Sequence, residues 1–95
     1  MYHILIKVHL QENKDLNGRY VSKYHGSLSL LYELPFQPFE GLLLELDEEV
    51  TVKIENLTWT GSIFKTENRV VFSGGSAEER VSRYQELGFA LGEQE

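Results

Sequence analysis

Residues 34–72 read LPFQPFEGLLLELDEEVTVKIENLTWTGSIFKTENRVVF, and this stretch decides the fold. From residue 50 to residue 55, apolar side chains alternate with polar ones, which is the period of a half-buried β-strand. The alternation slips by one residue at Asn56, after which Leu57 and Trp59 continue the apolar set. We therefore predict a strand over residues 50–59 with a β-bulge near residues 55–56, which would restore the register.

Two prolines begin this stretch and end the strand before it. Pro35 and Pro38 have no amide hydrogen to donate to a β-ladder, so the segment that contains them cannot lie inside a sheet. Phe36 and Phe39 lie in the same segment, and we expect both rings to pack back onto the sheet.

Two short hairpins are predicted around the central strand. A strand over residues 42–46 should lead through an acidic turn at residues 47–49. Residues 63–65 should pair with residues 69–73, because Thr66, Glu67 and Asn68 are polar and suit a turn.

The N-terminal third predicts a long antiparallel hairpin. Residues 2–11 alternate strictly, Asn17-Gly18 supplies the positive φ angles of a tight turn, and a second strand follows over Arg19–Leu34. Gly26 is expected to form a bulge or bend. One face of the second strand is predicted to carry Tyr20, Ser22, Tyr24, Leu28, Leu30 and Tyr32.

One helix is predicted near the C-terminus. Ser76 and Glu79 match a capping box, and Gly88 suits the left-handed position that ends many helices. Gly74-Gly75 before the helix could present amides to an anion, but Glu78 and Glu79 would repel it, so capping is the simpler interpretation. Residues 92–95 are expected to fray. The fold class is therefore α+β: a curved antiparallel sheet of five or six strands with one C-terminal helix, forming a single domain over residues 1–91.

Composition narrows the class of protein. The chain has 95 residues and a formal net charge of −6. It has no cysteine, which excludes disulfides and thiolate metal sites. Residues 26–95 carry thirteen acidic side chains against five basic ones, while residues 1–25 are net basic. This balance argues against a broad nucleic-acid footprint. The N-terminal residues do not resemble a signal peptide and no run is long enough to span a membrane, so we expect a cytoplasmic protein.

A cationic face is the first candidate site. If the hairpin keeps one parity along its length, one surface holds His3, Lys7, His9, Arg19, Lys23 and His25. Such a face could bind phosphate, nucleic acid or an acidic protein, and the alternative is an ordinary solvated sheet face. His3 and His9 are about 20 Å apart along one strand, so we predict no metal site, and the sequence implies no cofactor.

An acidic and aromatic surface is the second candidate. Its predicted partner-binding residues are Phe36, Phe39, Glu45, Asp47, Glu48 and Glu49. The acids could occupy a partner's basic groove, whereas a solvated turn is the simpler reading. Aromatic side chains anchor many protein interfaces, although strand aromatics are more often core and can also stack on bases.

The sequence offers no catalytic triad, because no cysteine nucleophile and no nucleophile-elbow serine are present. A hydrolase or toxin-like enzyme that uses His3, His9 or His25 is the least favoured of three hypotheses. The hypothesis that follows is a small non-catalytic protein-interaction module or stoichiometric inhibitor, with a homodimer as one form. The alternative is a nucleic-acid-binding or nucleotide-binding sheet protein that uses Lys7, His9, Arg19, Lys23 and His25.

Overall fold

The computed structural model describes residues 1–72 and 76–91, and these form a mostly β structure of the α+β class. In chain order, its elements are β1 (Tyr2–Leu16), β2 (Arg19–Leu34), β3 (Leu43–Asp47), β4 (Val50–Lys53), β5 (Thr58–Trp59), β6 (Phe64–Phe72), α1 (Ala77–Glu86) and β7 (Ala90–Leu91). The predicted fold class is confirmed. Residues 92–95, which we expected to fray, and Gly74-Gly75 lie outside the described residues.

The main sheet has the strand order β5-β6-β1-β2-β7. β1 and β2 form the predicted long hairpin, and the turn uses Asn17 and Gly18 at φ angles of 54° and 82°. β6 pairs with β1 in parallel, so the sheet is mixed, while its other pairings are antiparallel. The sheet is open.

The hydrophobic core lies on one face of this sheet. Alternate residues of β1 are fully buried there and pack with side chains from β3, β4 and α1. The predicted helix cap is confirmed: the Ser76 hydroxyl accepts hydrogen bonds from the amides of Glu78 and Glu79, and Gly88 has a φ of 107°. The core side chains are Ile4, Ile6, Val8, Leu10, Leu28, Leu34, Leu44, Val50, Val52, Ile54, Phe72, Tyr84 and Phe89.

The single bulged strand predicted over residues 50–59 is wrong, because these residues form two strands that belong to two different sheets. β4 pairs with β3 in a small separate hairpin, whereas β5 lies at the edge of the main sheet. The irregularity predicted at residues 55–56 falls where Asn56 adopts a φ of 55°. The Glu40 carboxylate accepts hydrogen bonds from the amides of Asn56 and Leu57 at 3.0 Å each, which stabilises this turn.

β6 is one continuous strand, so the predicted hairpin with a turn at residues 66–68 is wrong. Thr66 and Asn68 point into the core, and Asn68 is only 1% exposed. The Asn68 amide nitrogen donates to the carbonyl oxygen of Lys7 at 2.9 Å, and its oxygen accepts from the amide of Glu55 at 2.8 Å. Threonine and asparagine are residue types that are common in turns, but here their side chains join β6 to β1 and to the segment after β4.

The Asn68→Leu variant tests this buried linkage. We expect a loss of about 2–3 kcal/mol in the free energy of unfolding, because the Glu55 amide and the Lys7 carbonyl lose a buried partner. Urea unfolding followed by circular dichroism measures it. Asn13→Ala is the control, since Asn13 bonds Ser22 at an exposed position and should cost at most about 0.5 kcal/mol. Equal losses in both variants would contradict the role assigned to Asn68.

Candidate functional site

A β-bulge at His25 divides the predicted cationic face between the two sides of the sheet. Leu10 pairs with Gly26 and Gln11 pairs with Tyr24, so His25 is an extra residue in β2. Directly paired residues share a face, and a one-residue slip moves every later side chain to the other face. The prediction that His3, Lys7 and His9 share a surface with Arg19, Lys23 and His25 is therefore wrong.

The same bulge corrects the predicted aromatic face of β2. Leu28, Leu30 and Tyr32 pair with core-facing residues of β1. Tyr20, Ser22 and Tyr24 instead pair with Asp15, Asn13 and Gln11 and lie on the opposite, outer face. The outer face thus gains two tyrosines, Tyr20 and Tyr24, both of which are exposed.

His9 lies at the centre of a hydrogen-bonded chain on this outer face. Its Nε2 is 2.6 Å from Glu67 Oε1, and its Nδ1 is 2.9 Å from the Tyr24 hydroxyl. The three side chains come from the adjacent strands β6, β1 and β2. The arrangement fixes the orientation of the imidazole, as in sites where a carboxylate orients a histidine next to a hydroxyl.

A recess of about 310 Å³ surrounds this chain of side chains. Arg69 lies two residues after Glu67 on the same side of β6, and Gln11 lies two residues after His9 on β1. The side-chain amide nitrogen of Asn56 donates to the backbone carbonyl oxygen of Glu67 at 2.9 Å, and Asn56 lines one end of the recess. We call this feature the outer recess, lined by His9, Gln11, Tyr24, Asn56, Glu67 and Arg69.

Sequence reasoning missed Glu67 and Arg69 because it placed them in a turn. The signal that could have found them is the alternation of residues 64–72, in which Lys65, Glu67 and Arg69 share one parity and Phe64, Val70 and Phe72 the other. His9 and Arg69 pair in the parallel ladder but are sixty residues apart along the chain, so no local sequence pattern indicates that they are neighbours.

His25 forms a second, separate polar contact on the core side. Its Nε2 is 2.7 Å from Oε1 of Glu12, which is 6% exposed, and its ring lies 5.8 Å from that of Phe72. The hydrogen bond from His25 lowers the pKa of the Glu12 carboxyl from its ordinary value, burial opposes this shift, and Lys14 reinforces it. The pair joins the bulge of β2 to β1.

His9 and His25 lie on opposite faces and cannot share a ligand. Within residues 1–72 and 76–91, no group of three or more His, Asp or Glu side chains could hold a metal ion. His3 has its own partner, since its Nε2 lies 2.9 Å from Glu33 Oε2 at an exposed position.

The predicted acidic surface is partly neutralised by the helix. Arg83 of α1 forms an ion pair with Asp47, and its Nε lies 3.4 Å from Glu49 Oε1. Glu48 is exposed at the same turn. Glu45 is also exposed, on β3 opposite Thr51. The turn therefore joins the small hairpin to the helix and presents fewer free negative charges than its composition indicates.

An aromatic groove lies at the other end of the molecule. Tyr2, Gln37, Trp59 and Phe64 line a cavity of about 400 Å³, and the Trp59 and Phe64 rings are 4.8 Å apart. Trp59 is 57% exposed. Because Trp59 pairs with Phe64, and Phe64 pairs with Ile4, this aromatic groove is on the core side of the sheet, beyond the part that β3 and β4 cover.

Phe36 and Phe39 project outward, so the expectation that both pack onto the sheet is wrong. They are 44% and 55% exposed, whereas Pro38 between them is buried. The loop is held against the chain by the buried Pro38 and by the hydrogen bonds of Glu40 to the amides of residues 56–57, while both phenylalanine rings stay exposed.

Comparison of the chain with protein-family models, with curated proteins and with solved structures gave no match. Among the helices of the described residues, none is long and apolar enough to cross a membrane.

The Glu12–His25 contact predicts a pH dependence of stability. The folded-state pKa of Glu12 is lower than its unfolded value, so the ionised carboxylate stabilises the fold above the unfolded pKa, and this stabilisation is lost as the pH falls through the folded pKa. Glu12→Gln removes the contribution. We expect the variant to be less stable than the wild type near neutral pH and the difference to shrink as the pH falls from about 6 to about 3.

Urea unfolding at a series of pH values measures both proteins. Glu48→Gln, at an exposed turn position, is the control and should follow the wild-type curve. A Glu12→Gln deficit that stays constant over this pH range would contradict the prediction.

Proposed function

We propose that this protein acts without catalysis by binding another protein through the aromatic groove and the neighbouring loop. The supporting observation is Trp59, which is 57% exposed, contacts Phe64 and lines the groove with Tyr2 and Gln37. Tryptophan and tyrosine are the residue types most enriched at the energetic centres of protein interfaces.

Exposed aromatic surface has a free-energy cost in water that a partner can remove. Each large apolar side chain gains about 1.5–3 kcal/mol when it passes from full exposure to full burial. Trp59 is held by its pairing in β5 and by its contact with Phe64, so little side-chain entropy is lost when a partner covers it. Phe36 and Phe39 extend the apolar surface along the loop of residues 35–41.

The acidic turn is a supplementary part of this proposal. Arg83 already pairs with Asp47 and approaches Glu49, so Glu45 and Glu48 are the exposed acids of the predicted set that lie outside this ion-pair cluster. A stoichiometric inhibitor that relied on acids alone would keep them unpaired, so the aromatic groove is the stronger anchor. A second copy of the chain is one form that the partner could take.

Trp59→Ser tests the role of the groove. The wild-type protein carries a tag at the hairpin end. It captures proteins from a lysate of the source organism, which identifies the partner. We expect Trp59→Ser to weaken binding of that partner about 30-fold, the size of an interface hot spot of about 2 kcal/mol. Calorimetric titration of the purified pair measures this change.

Leu43→Ser is the matched control, because Leu43 is also a large exposed apolar residue but lies on β3. Trp59 is the one tryptophan of the chain, so its emission should also shift to shorter wavelength when the partner covers it. A partner that binds Trp59→Ser and wild type equally, with no change in emission, would refute the proposal.

The hairpin arm, residues 13–23, supports a second candidate function. The arm consists of the ends of β1 and β2, which pair with each other. β6 pairs with β1 only as far as Glu12 and Phe72, and no third strand of the described residues pairs with the arm. Lys14, Val21 and Lys23 share one face, and Arg19 follows at the turn. A two-stranded ribbon fits the major groove of DNA, and lysine and arginine contact its phosphates. The alternative of nucleic-acid binding therefore moves from the sheet to the arm. It keeps Arg19 and Lys23 of the predicted set and leaves out Lys7, His9 and His25.

The triple variant Lys14→Gln, Arg19→Gln, Lys23→Gln tests this candidate. If the arm contacts phosphates, the wild type should bind duplex DNA, and its plot of log K against log salt should have a slope of about −2.7, for three phosphate contacts. The variant should lose most of that slope. Fluorescence anisotropy at several salt concentrations measures it. Lys53→Gln on β4 is the control. Salt-independent binding, or none at low salt, would eliminate this function.

A further inference from the structure

The outer recess concentrates hydrogen-bond donors on the face of the sheet opposite the aromatic groove. Arg69 contributes a guanidinium group, and Gln11 and Tyr24 contribute an amide and a hydroxyl. The one carboxylate of the recess, Glu67, is already engaged by His9. Arginine forms strong charge-assisted hydrogen bonds to oxyanions. A ligand that accepts hydrogen bonds suits this lining better than one that donates them.

The hydrogen bonds of His9 specify which nitrogen carries the hydrogen when the ring is neutral. A carboxylate only accepts, so Nε2 must donate to Glu67. In the neutral ring Nδ1 then has a lone pair and accepts the hydrogen bond of the Tyr24 hydroxyl. In this state the Tyr24 proton is committed to His9 and is not available to a ligand.

Protonation of His9 reverses the Tyr24 hydrogen bond. A protonated imidazole donates from both nitrogens, so Nδ1 donates to the Tyr24 oxygen and the phenolic hydrogen is released toward the recess. The same proton changes the charge of the recess. Arg69 and Glu67 cancel while His9 is neutral, and a net positive charge appears when His9 is protonated.

We propose that the outer recess binds the tetrahedral oxyanion of a small molecule, of the phosphate or sulfate class, together with one proton on His9. Arg69 and the released Tyr24 hydroxyl donate to the oxyanion, and Glu67 balances the imidazolium. The charged and titratable groups around His9 are Glu67 and Arg69 of β6, Tyr24 of β2 and Lys7 of its own strand β1. The volume of about 310 Å³ is at the lower end of ligand pockets and suits a small ligand.

Sulfate is the first probe, because it stays a dianion at every pH at which histidine titrates. Calorimetric titration of the full chain between about pH 5.5 and about pH 8 measures its affinity. We expect one proton to be taken up per sulfate bound where His9 is neutral, and the Kd to rise about tenfold per pH unit there. Repeating the titration in buffers of different ionisation enthalpy counts the protons directly.

Three variants separate the parts of the site. Arg69→Gln should weaken sulfate binding at least about tenfold, the effect of one charge-assisted interaction. Tyr24→Phe should weaken it less and keep the pH dependence. His9→Gln should leave weak binding that no longer varies with pH. Lys53→Gln removes one positive charge from β4 at a position that does not line the recess, and should bind as the wild type does.

A phosphate monoester titrated at one fixed pH identifies the source of the oxyanion. Inorganic phosphate at the same pH is the reference. Tighter binding of the monoester than of inorganic phosphate indicates that the organic part also contacts the recess, and equal or weaker binding indicates the free ion. Absence of saturable sulfate binding at the low end of the pH range would overturn the proposal. So would binding without proton uptake, or binding that Arg69→Gln leaves intact while circular dichroism shows the fold preserved.

Discussion

The β-bulge at His25 is the constraint from which the polar architecture follows. Gly26 has a φ of 102°, a conformation that disfavours any residue with a Cβ, and the pairing of β1 with β2 slips by one residue at this point. The slip turns His25 toward Glu12 on the core side. It also turns Tyr24 toward His9 on the outer side, so both histidine contacts depend on a single extra residue.

Local signals in the sequence were sufficient for the elements that depend on local chemistry. The bounds of β2, the turn at Asn17-Gly18, the irregularity at Gly26 and the Ser76 cap all follow from residue types with specific backbone preferences. The prediction of faces failed at the same bulge, because counting parity through an extra residue inverts every assignment beyond it. Where a bulge is predicted, the faces of the residues beyond it therefore have to be assigned with the one-residue shift included.

Non-local pairing explains what the sequence could not supply. Asn68 and Thr66 are polar residues that usually indicate a turn, yet they are buried because they form hydrogen bonds with β1. Their partners lie 61 residues away along the chain, so composition alone cannot distinguish the two outcomes. Glu67 and Arg69 lie beside His9 only because β6 pairs with β1. The loop that carries Phe36 and Phe39 is likewise held by a non-local contact, since Glu40 bonds the amides of residues 56–57.

The aromatic groove and the outer recess use opposite faces of the same strand. Phe64 of β6 faces the groove, while Glu67 and Arg69 face the recess, about 10–17 Å further along a strand that rises about 3.3 Å per residue. A protein bound at the groove, as proposed, would therefore leave the recess open to solvent. Both proposed sites could then be occupied together, and β6 is the element that links them. Thr66, between the two sites, and Asn68, between Glu67 and Arg69, both donate hydrogen bonds to carbonyl oxygens of β1. Displacement of β6 at one site would have to break these buried hydrogen bonds, which favours independent binding.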